Sequence, residues 1–392
     1  MTFLAIGVGF SAITLFYGYM HNTYSGLRMS AIRGEGLGHL TLYKKGWLEK
    51  GKLDPERYMF SQSETATVRH LVEAERGVVL ATPQLQVSGL VTNGDVSTIF
   101  IAQGVVPEDE RTIKGRWVEF RPVNGQGLSE EKPYGVEIAK DLARFLDLRS
   151  GKDGIVMSTT LSGQMNAMDM QVAGVYDSGS DATNDKYMRF TFDMAQSLYD
   201  TTSADKIVVL LDDWRKTEGM RDVLRTKLDK AGISCDVKTW NELSLFYARV
   251  RNLFDMIFLF IFCIVLVIVV MSVVNTMGMA VLERTREIGT LRALGLKRRG
   301  VSLLFAMEGG LLGSLGSFLG IVVHGVVWSF IRAYPLTYSP PGQSGPVPLT
   351  VDLVPQFLSI LMVCMVVLSL IAAIVPARHA AGQNTVAALG HV

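Results

Sequence analysis

Two adjoining segments, LFDMIFLFIFCIVLVIVVMSVVNTMGMAV (Leu253–Val281) and ERTREIGTLRALGLKRRG (Glu283–Gly300), decide how this chain folds. The first is an apolar run longer than the roughly 20 residues that cross a bilayer as a helix. The second carries six Lys or Arg residues (Arg284, Arg286, Arg292, Lys297, Arg298, Arg299) against Glu283 and Glu287. Short loops with that bias stay on the cytoplasmic side, so the helix enters from outside and ends inside. Upstream, Thr239 and Glu242 stand at the spacing at which two side chains cap each other's exposed amides, and no Gly or Pro follows until Gly278. Leu243, Phe246, Tyr247, Val250, Leu253 and Phe254 recur at the period of one helical face. Residues 240–282 are therefore predicted to form one unbroken rod, a stalk continuous with the membrane span. From Thr239 to Leu282 it would measure about 65 Å, against a bilayer core of about 30 Å.

Within the basic segment, residues 283–300, Ile288, Leu291 and Leu294 form a narrow apolar stripe, and Arg284 and Glu287 are spaced as a surface pair. A helix of this kind lies on the membrane surface or lays its stripe in a groove on a partner protein. Gly289 and Gly295 weaken it as an isolated helix, which favours the partner.

The run Glu283, Arg284, Glu287, Ile288, Gly289, Leu291, Arg292, Ala293, Leu294, Gly295, followed by Glu308, Gly309 and a glycine-rich span, resembles the FtsX/MacB/LolC-LolE permeases of ABC transporters. Pro376, Ala377, Arg378, Ala380 and Ala381 are similar to the closing motif of that family. The resemblance extends from about Leu253 to the C-terminus, and the rest fits in layout. It implies four transmembrane helices plus a large extracytoplasmic (periplasmic) α/β domain, MacB/LolE-like in architecture, in the bacterial inner membrane. It also implies that Glu283, Arg284, Glu287, Ile288, Leu291, Arg292 and Leu294 couple to a cytoplasmic ABC ATPase subunit dimer. The chain itself is then no enzyme and has no cofactor; ATP and Mg are bound by the partner ATPase.

Composition agrees with that layout. At 48% hydrophobic and 19% charged, the chain is too apolar for an ordinary soluble protein and too polar for a bundle of many spans. A net charge of +1 gives no basic excess that would point to nucleic acid. Of the three cysteines, Cys263 and Cys364 fall in predicted spans, so Cys235 stands alone in the soluble part and no disulfide framework is expected there.

In chain order, Thr2 to Met20 is the first apolar stretch, within residues 1–21. It lacks a basic leader and a small-residue cleavage site, so it is expected to remain as a membrane helix. Residues 22–239 read as the α/β domain: a loop at Gly38–Trp47, a polar helix near Ser63–Arg76, and strands near Val78–Val91 and Ser97–Val106. Next come a helix over Tyr134–Leu148, strands near Gly154–Thr160 and Met168–Val175, and a short helix at Phe192–Tyr199. Lys206–Leu211 (KIVVLL) reads as a buried strand. Asp213–Ala231 reads as a helix with Trp214, Val223, Leu224 and Leu228 inward, and Ile233–Val237 as a further strand.

Residues 301–331 form the third span. Its Gly309 with Gly313, and Gly316 with Gly320, are four apart, a spacing that lets another helix approach the backbone, in this chain or in a second copy. Glu308 lies about 10 Å inside the cytoplasmic end and needs a partner there, from the basic segment or another subunit. A Pro/Gly-rich loop, 332–353, leads to the fourth span, 354–376, and a tail, 377–392, returns inside.

No P-loop, H-E-x-x-H or nucleophile elbow occurs, and the six histidines are scattered, so no catalytic or metal-binding residues are assigned. His324 reads as an interfacial or packed histidine. The resemblance implies a permease paired with a second copy of itself or a related chain, transmitting ATP-driven motion to an outer domain that extracts or exports lipoproteins or other lipophilic cargo. Gly38–Trp47 and Ser97–Glu110 look more like the LolC/LolE branch. The alternatives are a tripartite efflux permease working with a periplasmic adaptor, and an FtsX-like mechanotransmitter regulating cell-wall hydrolases.

Overall fold

The computed structural model describes residues 2–51, 53–115, 122–179, 181–339 and 345–382. The expected tail beyond residue 382 and the middle of the 332–353 loop, 340–344, lie outside them. Helices run in the order α1 (Thr2–Met29), α2 (Trp47–Lys50), α3 (Pro55–Tyr58), α4 (Gln62–Glu73), α5 (Pro107–Lys114), α6 (Lys140–Phe145) and α7 (Asp181–Asn184). There follow α8 (Phe192–Tyr199), α9 (Thr217–Lys230), α10 (Trp240–Leu243), α11 (Leu245–Glu283), α12 (Thr285–Ala293), α13 (Arg298–Ala333) and α14 (Pro355–Gly382). The strands of the main sheet are β1 (Leu40–Lys44), β2 (Val78–Thr92), β3 (Ser97–Val105), β4 (Pro122–Gly125), β5 (Gly135–Ala139), β6 (Asp153–Thr159), β7 (Met165–Tyr176), β8 (Tyr187–Thr191), β9 (Lys206–Leu211) and β10 (Cys235–Thr239).

The chain divides into two compact units. One, Gly26–Arg249 with Ser339–Val347, is built on a sheet of order β10-β1-β9-β2-β3-β8-β5-β7-β4, with β6 pairing β2 and β7. Strand β2 links its two cores. The first part of β2 pairs β9, beside a cluster of Leu40, Val72, Val209, Leu224 and Leu228 covered by α4 and α9. Its far part pairs β3 and β6, beside a cluster holding Phe100, Ile138, Leu142, Phe190 and Leu198. Ser61 caps α4 with a full capping box through Glu64, which fixes where that helix starts against the sheet.

Three expectations for this unit are corrected. The Gly38–Trp47 loop contains β1, a strand with both neighbours antiparallel, whose Leu40 and Leu42 are fully buried. It therefore separates β9 from β10, which are not adjacent. The helix expected over Tyr134–Leu148 is β5 followed by α6: all five residues of β5 are buried because it runs inside the sheet between β7 and β8. A strand buried on both faces carries apolar residues at positions that also satisfy a helical period. In the Asp213–Ala231 segment the inward positions are Met220, Leu224 and Leu228, while Trp214 and Val223 face outward. A 3-10 turn at Trp214–Lys216 resets the helical phase, and the Arg28 guanidinium lies 3.9 Å from the centre of the Trp214 ring.

The other unit, Met1–Ser25, Val250–Tyr338 and Pro348–Val392, gathers the apolar helices. Among the described residues, four helices are long and apolar enough to cross a membrane: Thr2–Gly34, Leu245–Glu283, Arg298–Ala333 and Pro355–His379. The first is longer than the expected 1–21. Ile6, Phe10, Val269, Val273, Phe305 and Met365 form the buried centre of this unit. The loop before α14 is tied to α1: the Asp352 amide donates to the Gly18 carbonyl at 3.1 Å, and its carboxylate meets His21 at 2.7 Å.

The unbroken rod is also corrected. The Thr239–Glu242 capping box forms as expected, but α10 ends at Leu243 and a new helix begins at Leu245. Between them Ser244, nearly fully buried, accepts the Tyr247 amide at 3.4 Å. A serine hydroxyl that caps an amide competes with helix continuation, so Ser244 closes one helix and caps the next. The continuous part, 39 residues of α11, measures about 58 Å.

Candidate coupling site

At the end of α11 the backbone leaves helical geometry at Arg284 (φ −105°, ψ 19°) and re-enters it at Thr285. The Thr285 hydroxyl donates back to the Val281 and Leu282 carbonyls at 3.0 and 2.9 Å, satisfying groups that the break would strand. This turn swings the Arg284 side chain to α13, where Nη1 lies 3.3 Å from the Glu308 carboxylate. The expected Arg284–Glu287 surface pair gives way to this link between segments. An ionised carboxylate inside the membrane boundary is costly alone, and a guanidinium donor offsets that cost where the pair is shielded from water.

Helix α12 ends by a left-handed C-cap. Gly295 sits at φ +102°, and the Leu296 amide donates to the Leu291 carbonyl at 3.0 Å, the long-range bond of a Schellman turn. Only glycine takes that conformation without strain, which is why Leu-Gly closes this segment.

The stripe of Ile288, Leu291 and Leu294 does not share one environment. Ile288 is buried in the helical core of the membrane unit, and α12 rests on α14 through that side. Leu291 is 40% exposed and Leu294 82% exposed. Glu283, Arg284 and Glu287 are exposed and Arg292 is half-buried. The helix is thus held by its inner residue while two leucines stand out of a basic surface. The sequence could not separate these roles, because a residue spacing defines a face but not what covers it.

The glycines of α13 form two successive contacts. A Cβ at Gly309 would lie 2.5 Å from the Ala373 Cβ, and one at Gly313 2.7 Å from the Ser369 hydroxyl, both on α14. A Cβ at Gly316 would lie 2.6 Å from the Ile6 Cβ, and one at Gly320 2.8 Å from the Gly7 carbonyl oxygen, both on α1. The glycine face is therefore a seam inside this chain, with α13 the strut between α14 and α1. His324 continues the seam: it is buried, with Nδ1 2.9 Å from the Thr14 hydroxyl.

One polar cluster escaped the sequence reading. In the domain unit Arg189 on β8 lies 3.4 Å from Glu137 on β5 and 3.5 Å from Glu110 on α5, which also holds Lys114 at 3.0 Å. The guanidinium stands 4.2 Å from the centre of the Tyr176 ring on β7. Burial raises the Glu137 carboxyl above its ordinary range and lowers the Lys114 ammonium. Charges that are paired and shielded in this way lock α5 to three strands; they serve as a brace. Glu110 and Lys114 share a helix, but no signal in a single sequence brings them together with Glu137, Tyr176 and Arg189.

Residues 1–227 match the MacB-like periplasmic core domain, and residues 259–385 match the FtsX-like permease C-terminal domain. The chain belongs to the MacB/FtsX-type permease family. Its relatives include the ABC transporter permease YtrF of Bacillus subtilis, 34% identical over 146 residues, or 35% of this chain and 34% of that protein. They include as well the macrolide export ATP-binding/permease protein MacB of Acinetobacter baylyi, 24% identical over 83% of this chain and 49% of that protein. The chain thus spans about half or less of the length of the curated relatives it matches. Among solved structures, the extracellular domain of the ABC-type transporter YknZ from Gram-positive bacteria covers 51% of this MacB/FtsX-type chain and 99% of that domain, at 15% identity and a TM-score of 0.38. The apolar helices and the periplasmic core make this an inner-membrane protein with a large periplasmic α/β domain.

Proposed function

We propose that this chain is the membrane permease of an ABC transporter complex, and that α12 docks on a separate cytoplasmic ATPase, which binds the ATP and Mg. The observation that carries the reading is the pair Leu291 and Leu294, exposed on a basic helix that Ile288 fixes from behind. An apolar residue 82% exposed on an otherwise charged, anchored helix fits a groove on a partner. Movement of α12 reaches the span through two links, the Arg284–Glu308 pair to α13 and the short turn to α11. Helix α11 is the element that carries it outward, and the periplasmic domains of two such chains change their separation. Coupling here means that rigid elements exchange between two arrangements that nucleotide biases.

The cargo is lipophilic and handled on the outer side. The match to a macrolide export protein over 83% of this chain favours export, with a periplasmic adaptor, over lipoprotein release. Mechanical control of cell-wall hydrolases uses the same parts without cargo.

The test is ATP hydrolysis by the reconstituted complex with Leu291→Glu and Leu294→Glu. Hydrolysis should fall to the rate of the ATPase without permease, while the variant stays folded because neither side chain is buried. Unchanged stimulation overturns the docking assignment. Proteins co-purifying with the wild-type complex then separate the cargo readings: an adaptor, acylated proteins, or a cell-wall hydrolase.

A further inference from the structure

We propose that the cytoplasmic cleft between α13 and α14 is a binding site for the phosphate headgroup of an anionic phospholipid of the inner leaflet. Arg298 and Arg299 on the first turn of α13 and Arg378 near the end of α14 line one cavity of about 500 Å³. Elsewhere in this unit Arg251 and Arg284 each hold a carboxylate, Asp255 and Glu308. Among the described residues none of the three cleft arginines does. Three like charges around one cavity repel, and an anion seated among them converts that cost into attraction.

The backbone adds donors at the same place. Lys297 precedes the helix without a side-chain cap bond, and a lysine side chain has no acceptor to offer. The Gly300 and Val301 amides turn back to the Lys297 carbonyl, whereas the Arg298 and Arg299 amides belong to the first turn, which has no intrahelical acceptor. Ser302, one turn further on, brings a hydroxyl to the cavity wall.

The remaining lining decides between a lipid and a free phosphate. Leu303, 62% exposed, and Ile374 continue the cleft as an apolar wall on the membrane side of the arginines. A soluble phosphate gains nothing from that wall. A phospholipid lays its acyl chain there while its phosphate sits among the guanidinium groups, and basic clefts between spans on the cytoplasmic side suit that ligand. The inference needs only the orientation of the spans and stands apart from the docking of α12.

The full chain in bilayer nanodiscs tests it, using photoactivatable phosphatidylglycerol and phosphatidylcholine with identical acyl chains, and crosslinks mapped by mass spectrometry. Phosphatidylglycerol should label the 298–306 and 374–378 segments, phosphatidylcholine should not, and excess inorganic phosphate should leave the labelling intact. R298Q/R299Q/R378Q should lower it by roughly fivefold per arginine. The corresponding triple lysine variant, which keeps the charge that orients the spans, should retain most of it. If the triple glutamine variant does not fold, Arg378→Gln alone carries the comparison. Equal labelling by the two lipids, labelling undiminished by the substitutions, or displacement by inorganic phosphate overturns the proposal. So does loss of ATPase co-purification in the glutamine variant with lipid labelling unchanged, which would assign the arginines to an acidic protein surface.

Discussion

The two units of this molecule are packed by opposite means. The periplasmic sheet is held by large side chains: Phe60, Phe100 and Phe190 are each essentially fully buried, and leucines and valines fill the spaces between strands and helices. In the membrane unit, α13 meets α14 and α1 where side chains are missing, at Gly309, Gly313, Gly316 and Gly320. In water, burial of apolar surface drives association, so a bulky residue stabilises in proportion to its area. In lipid that driving force is absent, and helices associate through close van der Waals contact, which small residues allow. Along the α13 seam an added methyl group is therefore a clash, whereas among the large side chains of the sheet's core a removed one leaves a cavity.

Substitutions can break that contrast. Gly320→Val should have the largest effect, because a Cβ there would stand 2.7 Å from the Phe10 ring and 2.8 Å from the Gly7 carbonyl oxygen, and backbone cannot yield. Loss of monodisperse protein in gentle detergent is the expected outcome; a normally folded variant would show the seam to be loose. Phe190→Ala in the sheet should cost about 3–5 kcal/mol, read as a lower transition for the periplasmic domain with the membrane unit unaffected.

Acid should act on the domain through His39. It is buried, its Nδ1 accepts the Leu211 amide at 3.0 Å, and its pKa is lowered to about 4, first by desolvation and next by the nearby Arg33, against a weaker pull from Asp213 and Asp212. The folded state binds its proton less readily than the unfolded state. Stability from this group is therefore full above pH 6.5 and is lost as pH falls from there toward 4. The loss is on the order of 3 kcal/mol. His39→Gln should flatten that slope in thermal unfolding followed against pH, and an unchanged slope would move the effect to other groups.

Smaller effects refine the comparison. Ser244→Ala removes the cap that restarts α11 and should cost about 1 kcal/mol. Gly295→Ala should cost a similar amount, about 1 kcal/mol, through its positive φ alone, since a Cβ there meets nothing within 4 Å. Gly278→Ala is the control: that glycine lies in a helix with open space around it, so the change should be neutral or stabilise by up to about 1 kcal/mol. A large penalty at Gly278 would mean that glycines act here by something other than close approach.

Much of this was legible in the residues. KIVVLL, the Phe192–Tyr199 helix and the Thr239–Glu242 cap appear where propensity and local hydrogen bonding dictate them, since each depends on residues only a few positions apart. β1 escaped because LTLYK is short and its strand character comes from two distant neighbours, β9 and β10. β5 escaped because a segment buried on both faces loses the alternation that identifies a strand. Ser244 escaped because a serine caps a helix only when the flanking segments are already turned apart.

By itself, the sequence determined what local chemistry and the solvent impose: which segments are apolar enough for lipid, which end carries positive charge, where helices are capped, and which glycines repeat at a helical spacing. The tertiary structure alone decided which neighbour each face meets. It assigned the glycine seam to α14 and α1, joined Arg284 to Glu308, buried Ile288 while leaving Leu291 and Leu294 exposed, and set three arginines around one cleft. Spacing along a helix fixes direction relative to the helix axis, but the partner in that direction depends on contacts between residues tens to hundreds of positions apart, and only the folded chain brings those together.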